Sequence, residues 1–427
     1  MNFAEETLGG ICDRVGGMIR TGPFGSQLHS SDYVPDGIPV VMPKNIADGR
    51  VSAEDIARVR PDDVLRLSQH ILHKGDIVYG RRGDIGRHAL ITRREEGWLC
   101  GTGCMRVSLG DQVVYPEYLH YYLNQQAVTT WIANQAVGAT MPNLNTDILR
   151  SVPVRYPHQA IQRKIVSILS AYDDLIENNL RRIAVLEEMA RTIYREWFVE
   201  FRYPGRGSEP LVESEAGLMP PDWEAGPIGS LVETMGGGTP STSKLEYWEN
   251  GSITWYTPSD LTASSAMFIT SSSRKITESG LRSSSAKLFP PYSVMMTSRA
   301  TIGVVSIATT EACTNQGFIT CIPNDRVSSY HLYFWLLDNR QMITSLASGA
   351  TFKEINKTVF RQLPIAVPPK GLAEAFMRVV SPVAGLVEVL LKQNVALHHT
   401  RDLLLPRLIS GELDVSDIAI STVEDNL

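Results

Sequence analysis

Cysteine is scarce in this chain of 427 residues: Cys12, Cys100, Cys104, Cys313 and Cys321 are all it has. Five is an odd number, and neither a second metal-type pair nor a nearby histidine accompanies Cys100 and Cys104. That argues against a disulfide framework and a thiolate zinc site, and for buried, reduced thiols. Long apolar runs are missing too, and none approaches the ~20 residues of a membrane-spanning helix. The start, Met-Asn-Phe-Ala-Glu-Glu-Thr, has no basic stretch followed by an apolar one, so no signal peptide is expected. The expected compartment is the cytoplasm. Excess positive charge is also lacking: the net charge of -6 disfavours binding to nucleic acid by bulk electrostatics alone. Any basic binding surface has to be local, or completed by a partner.

Catalytic signatures are absent as well. There is no G-x-x-x-x-G-K-[ST] run for nucleotide phosphates and no G-x-S-x-G elbow. The nine histidines show no metal-ligand spacing. The adjacent pair His398-His399 on a helix would point its rings about 100° apart, as on a solvated face. Phe289-Pro290-Pro291-Tyr292 superficially resembles the Asp/Asn-Pro-Pro-Tyr loop that grips adenine in amino-methyltransferases. Phe289 offers no polar acceptor, so a turn before a strand is expected instead. Asp62-Asp63 and Asp173-Asp174 read as a turn and a helix face. No catalytic residue and no metal ligand is expected.

What the chain does have is ordinary globular composition, 43% hydrophobic and 20% charged, over a length that calls for two or more domains. Between His158 and Phe201 the apolar residues recur in alternating steps of four and three: Ile165, Leu169, Tyr172, Ile176, Asn179, Ile183, Leu186, Ala190, Ile193, Trp197. A 3.5-residue repeat predicts a long helix packed lengthwise on another helix. At about 1.5 Å per residue it would run roughly 48 Å. Glu177, Arg181, Arg182, Glu187, Glu188 and Arg191 form its expected solvated face. A second seam follows Phe376: Val380, Val383, Val387, Leu390, Asn394, Leu397, Arg401, Leu404, Leu408. Each seam carries a polar break, Asn179 and Asn394, of the kind that fixes register at a cost in stability. The two helices are expected to pack on each other along Ile176, Asn179, Ile183, Leu186, Leu390, Asn394 and Leu397; two independent surface helices are the alternative.

A long-period internal repeat organises the remainder. Leu8-Gly9-Gly10-Ile11 pairs with Ile228-Gly229-Ser230-Leu231, and Gly37 to Pro43 with Gly251 to Pro258. Arg82-Gly83-Asp84-Ile85-Gly86 pairs with Arg299-Ala300-Thr301-Ile302-Gly303. Tyr118 to Leu123 pairs with His331 to Leu336, each a short helix. Gly138-Ala139-Thr140, ending at Asn145, pairs with Gly349-Ala350-Thr351, ending at Asn356. Val152-Pro153-Val154 pairs with Leu363-Pro364-Ile365, and each half then enters its long helix. Short β-branched runs punctuated by Gly, Pro, Asp and Ser make each half β-rich. The expected fold class is α+β, with a pseudo-twofold repeat of two β-rich modules and two long antiparallel, coiled-coil helices. The expected boundaries are 1–157 for the first module, 158–202 for the first helix, 203–369 for linker and second module, 370–412 for the second helix, and 413–427 for a loose acidic tail.

The sharpest basic cluster is Arg81-Arg82-Gly83-Asp84-Ile85-Gly86-Arg87. Its glycines allow close backbone approach, and guanidinium groups take phosphates or the O6/N7 edge of guanine bidentately. Lys44 and Asn45 follow a predicted strand and form a second candidate, with Ser259 and Asp260 in the equivalent place. Arg299 is the counterpart of Arg82, with Thr301 beside it in the thinner second loop. Surface ion pairing is the other reading of these arginines, and both stay open. The Ser-rich run Ser271 to Ser285 is either a further contact loop or a flexible linker.

On these motifs the chain resembles, over nearly its whole length, the specificity subunit of type I restriction-modification enzymes. The likeness rests on Gly22-Pro23-Phe24-Gly25-Ser26, the Lys74-Gly75-Asp76-Ile77-Val78 to Gly86 stretch and Gly138-Ala139-Thr140 to Asn145. It rests also on Ile176-Glu177-Asn178-Asn179 running to Tyr194-Arg195-Glu196-Trp197-Phe198, and on Leu404-Leu405-Pro406-Arg407-Leu408-Ile409-Ser410-Gly411-Glu412. The resemblance implies two target recognition domains held apart by an antiparallel helix pair, reading double-stranded DNA. It implies no cofactor on this chain: S-adenosylmethionine would lie on two modification subunits, ATP and Mg on motor-nuclease restriction subunits. A spacer of roughly 48 Å exceeds one DNA turn of about 34 Å, so two half-sites with an unread gap are expected. Because matched positions differ, as Lys44 does from Ser259, the target should be asymmetric. A two-domain binding module for carbohydrate or protein is the competing function; it would bind no DNA even with partner subunits present.

Overall fold

The computed structural model describes residues 2–82, 85–135, 143–264, 266–349 and 353–419. The chain divides into two compact units: Met1–Leu175 with Leu397–Leu427, and Ile176–Ala396. Each unit therefore holds one β-rich module together with one stretch of each long helix.

In the first unit, the strand Phe3–Thr7 pairs antiparallel with Pro153–Pro157, so the module's beginning and end are laced together. Two four-stranded sheets lie between them. One runs in the order Leu99–Cys100, Ile38–Val41, Ala57–Val59, Tyr33–Val34, and the other Met18–Thr21, Cys104–Ser108, Ile77–Gly80, His88–Leu90. Ile77–Gly80 is buried at every residue, which its β-branched and aromatic side chains suit. Short helices begin where the chain supplies a cap: Pro116 opens Pro116–Leu123, and Asn145 caps Thr146–Arg150 by accepting from the Ile148 amide.

The second unit repeats this plan. Glu224–Pro227 pairs antiparallel with Pro364–Val367. One sheet runs Arg274–Ile276, Ile253–Tyr256, Cys313–Thr314, and the other Glu233–Gly236, Phe318–Ile322, Val294–Thr297, Val305–Ala308, Phe268–Ile269. The correspondence reaches single residues. Val40 lies beside Leu99 in a parallel pair and opposite Ala57 in an antiparallel one; Trp255 stands likewise to Cys313 and Arg274. The Ser-rich run is ordered rather than a loose linker, since it forms Arg274–Ile276 and the helix Glu278–Arg282, capped by Thr277. Asp62 and Asp63 lie in the first turn of the helix Pro61–Arg66, where acidic side chains face the helix's positive end.

The first long helix is Gln159–Tyr194, of 36 residues, continued by a single π turn over Arg195–Val199; the second is Lys370–Ser410, of 41. In the first unit they meet antiparallel: Asp173 accepts from Arg401 Nη1 at 2.6 Å, and Lys164 Nζ donates to the Ser416 carbonyl at 2.6 Å. Ile165 and Leu169 are fully buried there with Leu408, each burial stabilising by roughly 1.5–3 kcal/mol. Gln162 is buried and fully employed, donating to the Val113 and Pro157 carbonyls and accepting from the Tyr115 amide. The segment after Leu413 is not loose over its described part, because Val415 is buried in this same core.

In the second unit, Ile176, Asn179, Ile183 and Leu390 are buried, and Asn179 Nδ2 donates to Asn394 Oδ1 at 2.9 Å. Leu186 packs partly buried against the same core. Beyond Ala190 the buried positions are Tyr194 and Phe198 rather than Ile193 and Trp197, which are half-buried. A strict 3.5 repeat drifts around a 3.6-residue helix, so the buried stripe moves off the seam before the π turn begins. Tyr194 stacks on Phe198 there, and both meet Phe376 edge-to-face, Phe198 at 4.6 Å between centroids. The solvated face is also partly engaged: Glu187 accepts from the Met267 amide at 2.9 Å, and Arg191 donates to Asp338 at 3.0 Å.

One buried hydrogen bond leaves Asn179 Oδ1 and Asn394 Nδ2 without partners, so this pair costs stability and restricts alignment. Replacing Asn394 alone by Leu strands the Asn179 amide, and urea denaturation should show a loss of about 1–3 kcal/mol. The double variant Asn179→Leu with Asn394→Leu should recover that loss or exceed the parent. A double variant no more stable than the single one would contradict this account.

Candidate nucleic-acid interface

One turn and one loop recur in both modules on matching hydrogen bonds. After the strand Ile38–Val41, Asn45 Oδ1 accepts from the Met42 amide at 3.1 Å. After Ile253–Tyr256, Asp260 Oδ2 accepts from the Thr257 amide at 2.7 Å. The same four-residue turn is thus closed by Asn in one module and Asp in the other. Asn45 is buried and also donates to the Glu54 carbonyl at 3.3 Å, so it builds the turn and does not present its amide outward. Burial alone would raise the Asp260 carboxyl; hydrogen bonds from Thr257 and Ser273 outweigh it and hold the group below its ordinary value. Lys44 and Ser259, one residue earlier in each turn, are exposed.

The loop after Ile77–Gly80 is held the same way. The Gly80 amide donates to the Arg87 carbonyl (3.0 Å), the Arg81 amide to Gly103 (2.8 Å), and the Leu144 amide to the Arg81 carbonyl (2.9 Å). In the second module, Thr297 donates to Val304 (2.9 Å), Ser298 to Gly317 (2.8 Å), and Ile355 to the Ser298 carbonyl (3.0 Å). Arg81 therefore corresponds to Ser298, Arg82 to Arg299 and Arg87 to Val304. Arg82 bridges to Asn143, and Arg299 to Glu354. Ala300 adopts φ 61°, a left-handed conformation that costs an L-residue roughly 1–2 kcal/mol and that glycine adopts freely. Gly83 and Asp84, like the Gly138-Ala139-Thr140 and Ala350-Thr351 motifs, lie outside the described residues.

The side chains on this shared backbone differ. Arg81 is half-buried and its Nε donates to the Leu144 carbonyl at 3.2 Å, so it braces the loop. Arg82 is exposed and its bridge partner Asn143 is neutral. Arg299 Nε lies 3.8 Å from Glu354 Oε2, each side chain nearly half exposed. Arg87 is exposed, with Nη1 3.4 Å from the Ile46 carbonyl. Thr301 is exposed, and its carbonyl accepts from Thr297 Oγ1 at 2.5 Å. The seam residue Leu397 is half-buried in the first unit.

Sequence reasoning missed a histidine pair behind the first loop. His88 is buried, stacked on Tyr79 at 4.8 Å and edge-on to His120 at 5.0 Å. Its Nδ1 lies 3.1 Å from the Gly86 carbonyl and its Nε2 3.3 Å from that of His120. A neutral imidazole has one N–H and serves only one of them. Burial nonetheless holds His88 below its ordinary value, the two carbonyls pulling the other way, and burial holds His120 well below. In the second unit His331 packs between Tyr194 and Phe198, and burial pushes it down to about 4. Spacing gives no hint of these roles, because the rings act through tertiary contacts. The cysteines are all buried and free. Among the described residues no cluster of His, Cys, Asp or Glu is arranged to hold a metal, and no helix is long and apolar enough to cross a membrane.

A family model described as the type I restriction modification DNA specificity domain matches residues 26–188 and 220–375. The chain is 36% identical over 185 residues to the type I restriction enzyme MjaIX specificity subunit of Methanocaldococcus jannaschii, a match covering 43% of this chain and 42% of that one. It is 26% identical over 416 residues to the HindI specificity subunit of Haemophilus influenzae, covering 82% and 89%. The chain thus spans less than half of the first relative and most of the second. Its fold is similar to a crystal structure of a type I restriction-modification S subunit from M. genitalium, with a TM-score of 0.56, 15% identity and 96% of each chain covered.

Histidines kept neutral by the fold bind protons more readily once the chain unfolds, so folded stability is full above their unfolded value of 6.5. It should fall as pH drops below that value, and for His331 continue falling to about 4. His331→Phe should flatten the decline of the unfolding free energy from urea titrations between pH 7 and pH 5, by up to about 1.4 kcal/mol per pH unit. An unchanged slope would remove His331 from the acid response.

Proposed function

Because this chain belongs to the family of type I restriction-modification DNA specificity subunits, we propose that it reads an asymmetric, two-part DNA target and carries no catalytic step. One observation bears most of this reading. Two loops share their backbone hydrogen bonds residue for residue yet present different side chains: Lys44 against Ser259, Arg87 against Val304, Asn143 against Glu354. One frame with two chemistries suits two unlike half-sites. The target recognition modules are 1–157 and 203–369. In the first, Lys44, Arg82 and Arg87 contact the duplex while Arg81 and Asn45 shape the turns that carry them. In the second, Ser259, Arg299 and Thr301 stand at the matching places.

The long helices scaffold the assembly. In the second unit Val185 is 60% and Met189 49% exposed, and they line an apolar groove with Ala184, Thr192 and Ile193. Exposed apolar stripes of this kind mark protein contacts, here with two modification subunits. Those subunits would bring S-adenosylmethionine, and restriction subunits ATP and Mg, in the cytoplasm where the DNA lies. The net charge of -6 suits a reader whose grip on DNA is completed by partners. No observation favours a carbohydrate- or protein-binding module.

The test is co-expression with a modification subunit followed by single-molecule methylome sequencing. The expected result is a two-part motif with N6-methyladenine on both strands, lost when this chain is deleted; an unchanged methylome with the complex verified would refute the reading. Within such a complex, Arg82→Ala should weaken binding to the motif about tenfold, and Arg299→Ala less, since Glu354 already neutralises part of its charge. A loss uniform across sequences assigns Arg82 to phosphate, and a loss at one base pair to a base edge. Equal, negligible effects of both variants would remove this loop from the interface.

A further inference from the structure

Where the first module presents Arg82 beside a neutral asparagine, the second has its matching arginine facing Glu354. The second unit also holds an exposed cation whose place in the first is taken by an alanine. Arg274 is exposed at the start of the edge strand Arg274–Ile276. Its guanidinium carbon lies over Trp248, 3.6 Å from the ring centroid, and 5.9 Å from that of Trp255. Among the described residues no carboxylate comes within ion-pair distance of it.

The platform under it is rigid. Trp248 meets Trp255 edge-to-face at 5.0 Å, and each indole N–H is spent inside the module: Trp248 donates to the Ser241 carbonyl, and buried Trp255 to that of Gly238. The residue before Arg274 is pinned as well, the Ser273 amide donating to Asp260 Oδ1 at 2.8 Å. That hydrogen bond ties the strand to the same turn that presents Ser259. Lys275 and Lys244 are exposed nearby, Lys244 donating to the Tyr247 hydroxyl at 3.0 Å. At the matched register the first module has Ala57 opposite Val40, neither cation nor indole.

We propose that Arg274, held on the Trp248–Trp255 platform, is the principal cationic DNA contact of the second module, replacing the loop arginine that serves the first. This deepens the reading above and rests on it. A guanidinium stacked on an indole gives up little rotamer freedom on binding and keeps its N–H fork free for phosphate or a guanine edge. An ammonium at the same place keeps the charge but loses the planar stack. The half-sites would then be gripped by unlike devices, a loop in one module and an edge strand in the other.

The test uses the complex with its modification subunit and a pool of random duplexes, sequencing what is retained. The parent complex should enrich two half-sites. Arg274→Ala should lose enrichment at one of them, binding the parent's best duplex about tenfold more weakly, while Arg82→Ala affects the other. Arg274→Lys should keep the salt dependence of binding and lose part of the sequence preference. Thermal midpoints equal to the parent's would exclude misfolding of these exposed positions. If the parent enriches two half-sites and Arg274→Ala enriches both unchanged, this inference is overturned and the reading beneath it stands. If the parent enriches no sequence, both fall.

Discussion

Tyr194, Phe198 and Phe376 lie on the long helices and are covered by one another, by Trp197 and Trp223 and by the second module. In water alone these rings would stand exposed, and helices so long persist because such faces are covered. The same holds in the first unit, where Ile165, Leu169 and Leu408 share one core with Tyr118 and Leu8. Module and helix cores are therefore not separable within a unit. The short helices capped by Asn145 and Asn356 bury Leu149 and Phe360 in these same cores. The residues before the caps, Leu144 and Ile355, are buried, and their amides donate to the backbone carbonyls of the arginine-bearing loops. Loop placement thus descends from hydrophobic packing several residues away.

On that common frame, small differences in charge decide a good deal. An ion pair as exposed as Arg299 with Glu354 contributes about 0–1 kcal/mol to stability, too little to lock the arginine. Its larger effect is on an approaching anion, since Glu354 adds a repelling charge where the first module has Asn143. Elsewhere the frame buries polarity at evident cost. The asparagine pair between the helices leaves two amide atoms unsatisfied, and His88 has two carbonyl neighbours for one proton. Uniform packing with Leu would be more stable and less particular about alignment.

Much of this was legible in the residue order. The heptad placed Ile176, Asn179, Ile183 and Leu390 at buried positions, because a helix seam obeys a local period. The duplicated motifs matched Lys44 with Ser259 and Arg82 with Arg299, and the backbone hydrogen bonds make the same pairs. Three things stayed hidden for one reason: they depend on contacts distant in sequence. Asn45 read as an outward polar group, yet its buried amide closes its own turn. Tyr194 and Phe198 take the buried places of Ile193 and Trp197 because the rings that cover them, Phe376 and Trp223, lie far along the chain. Arg274 lay in a serine-rich stretch that read as either a contact loop or a linker, and strand pairing with Trp255 brings it over the indoles.

The burial of every thiol has a practical side. Burial pushes Cys100, Cys313 and Cys321 up to about 12, so these sulfurs are both covered and almost wholly protonated near neutrality, the unreactive form. A thiol-alkylating dye would thus meet only covered, protonated sulfurs on the folded chain. A single cysteine placed on the exposed surface becomes the sole address for such a reagent, with no need to strip out the natural five. The protein comes already suited to site-directed distance and crosslinking chemistry.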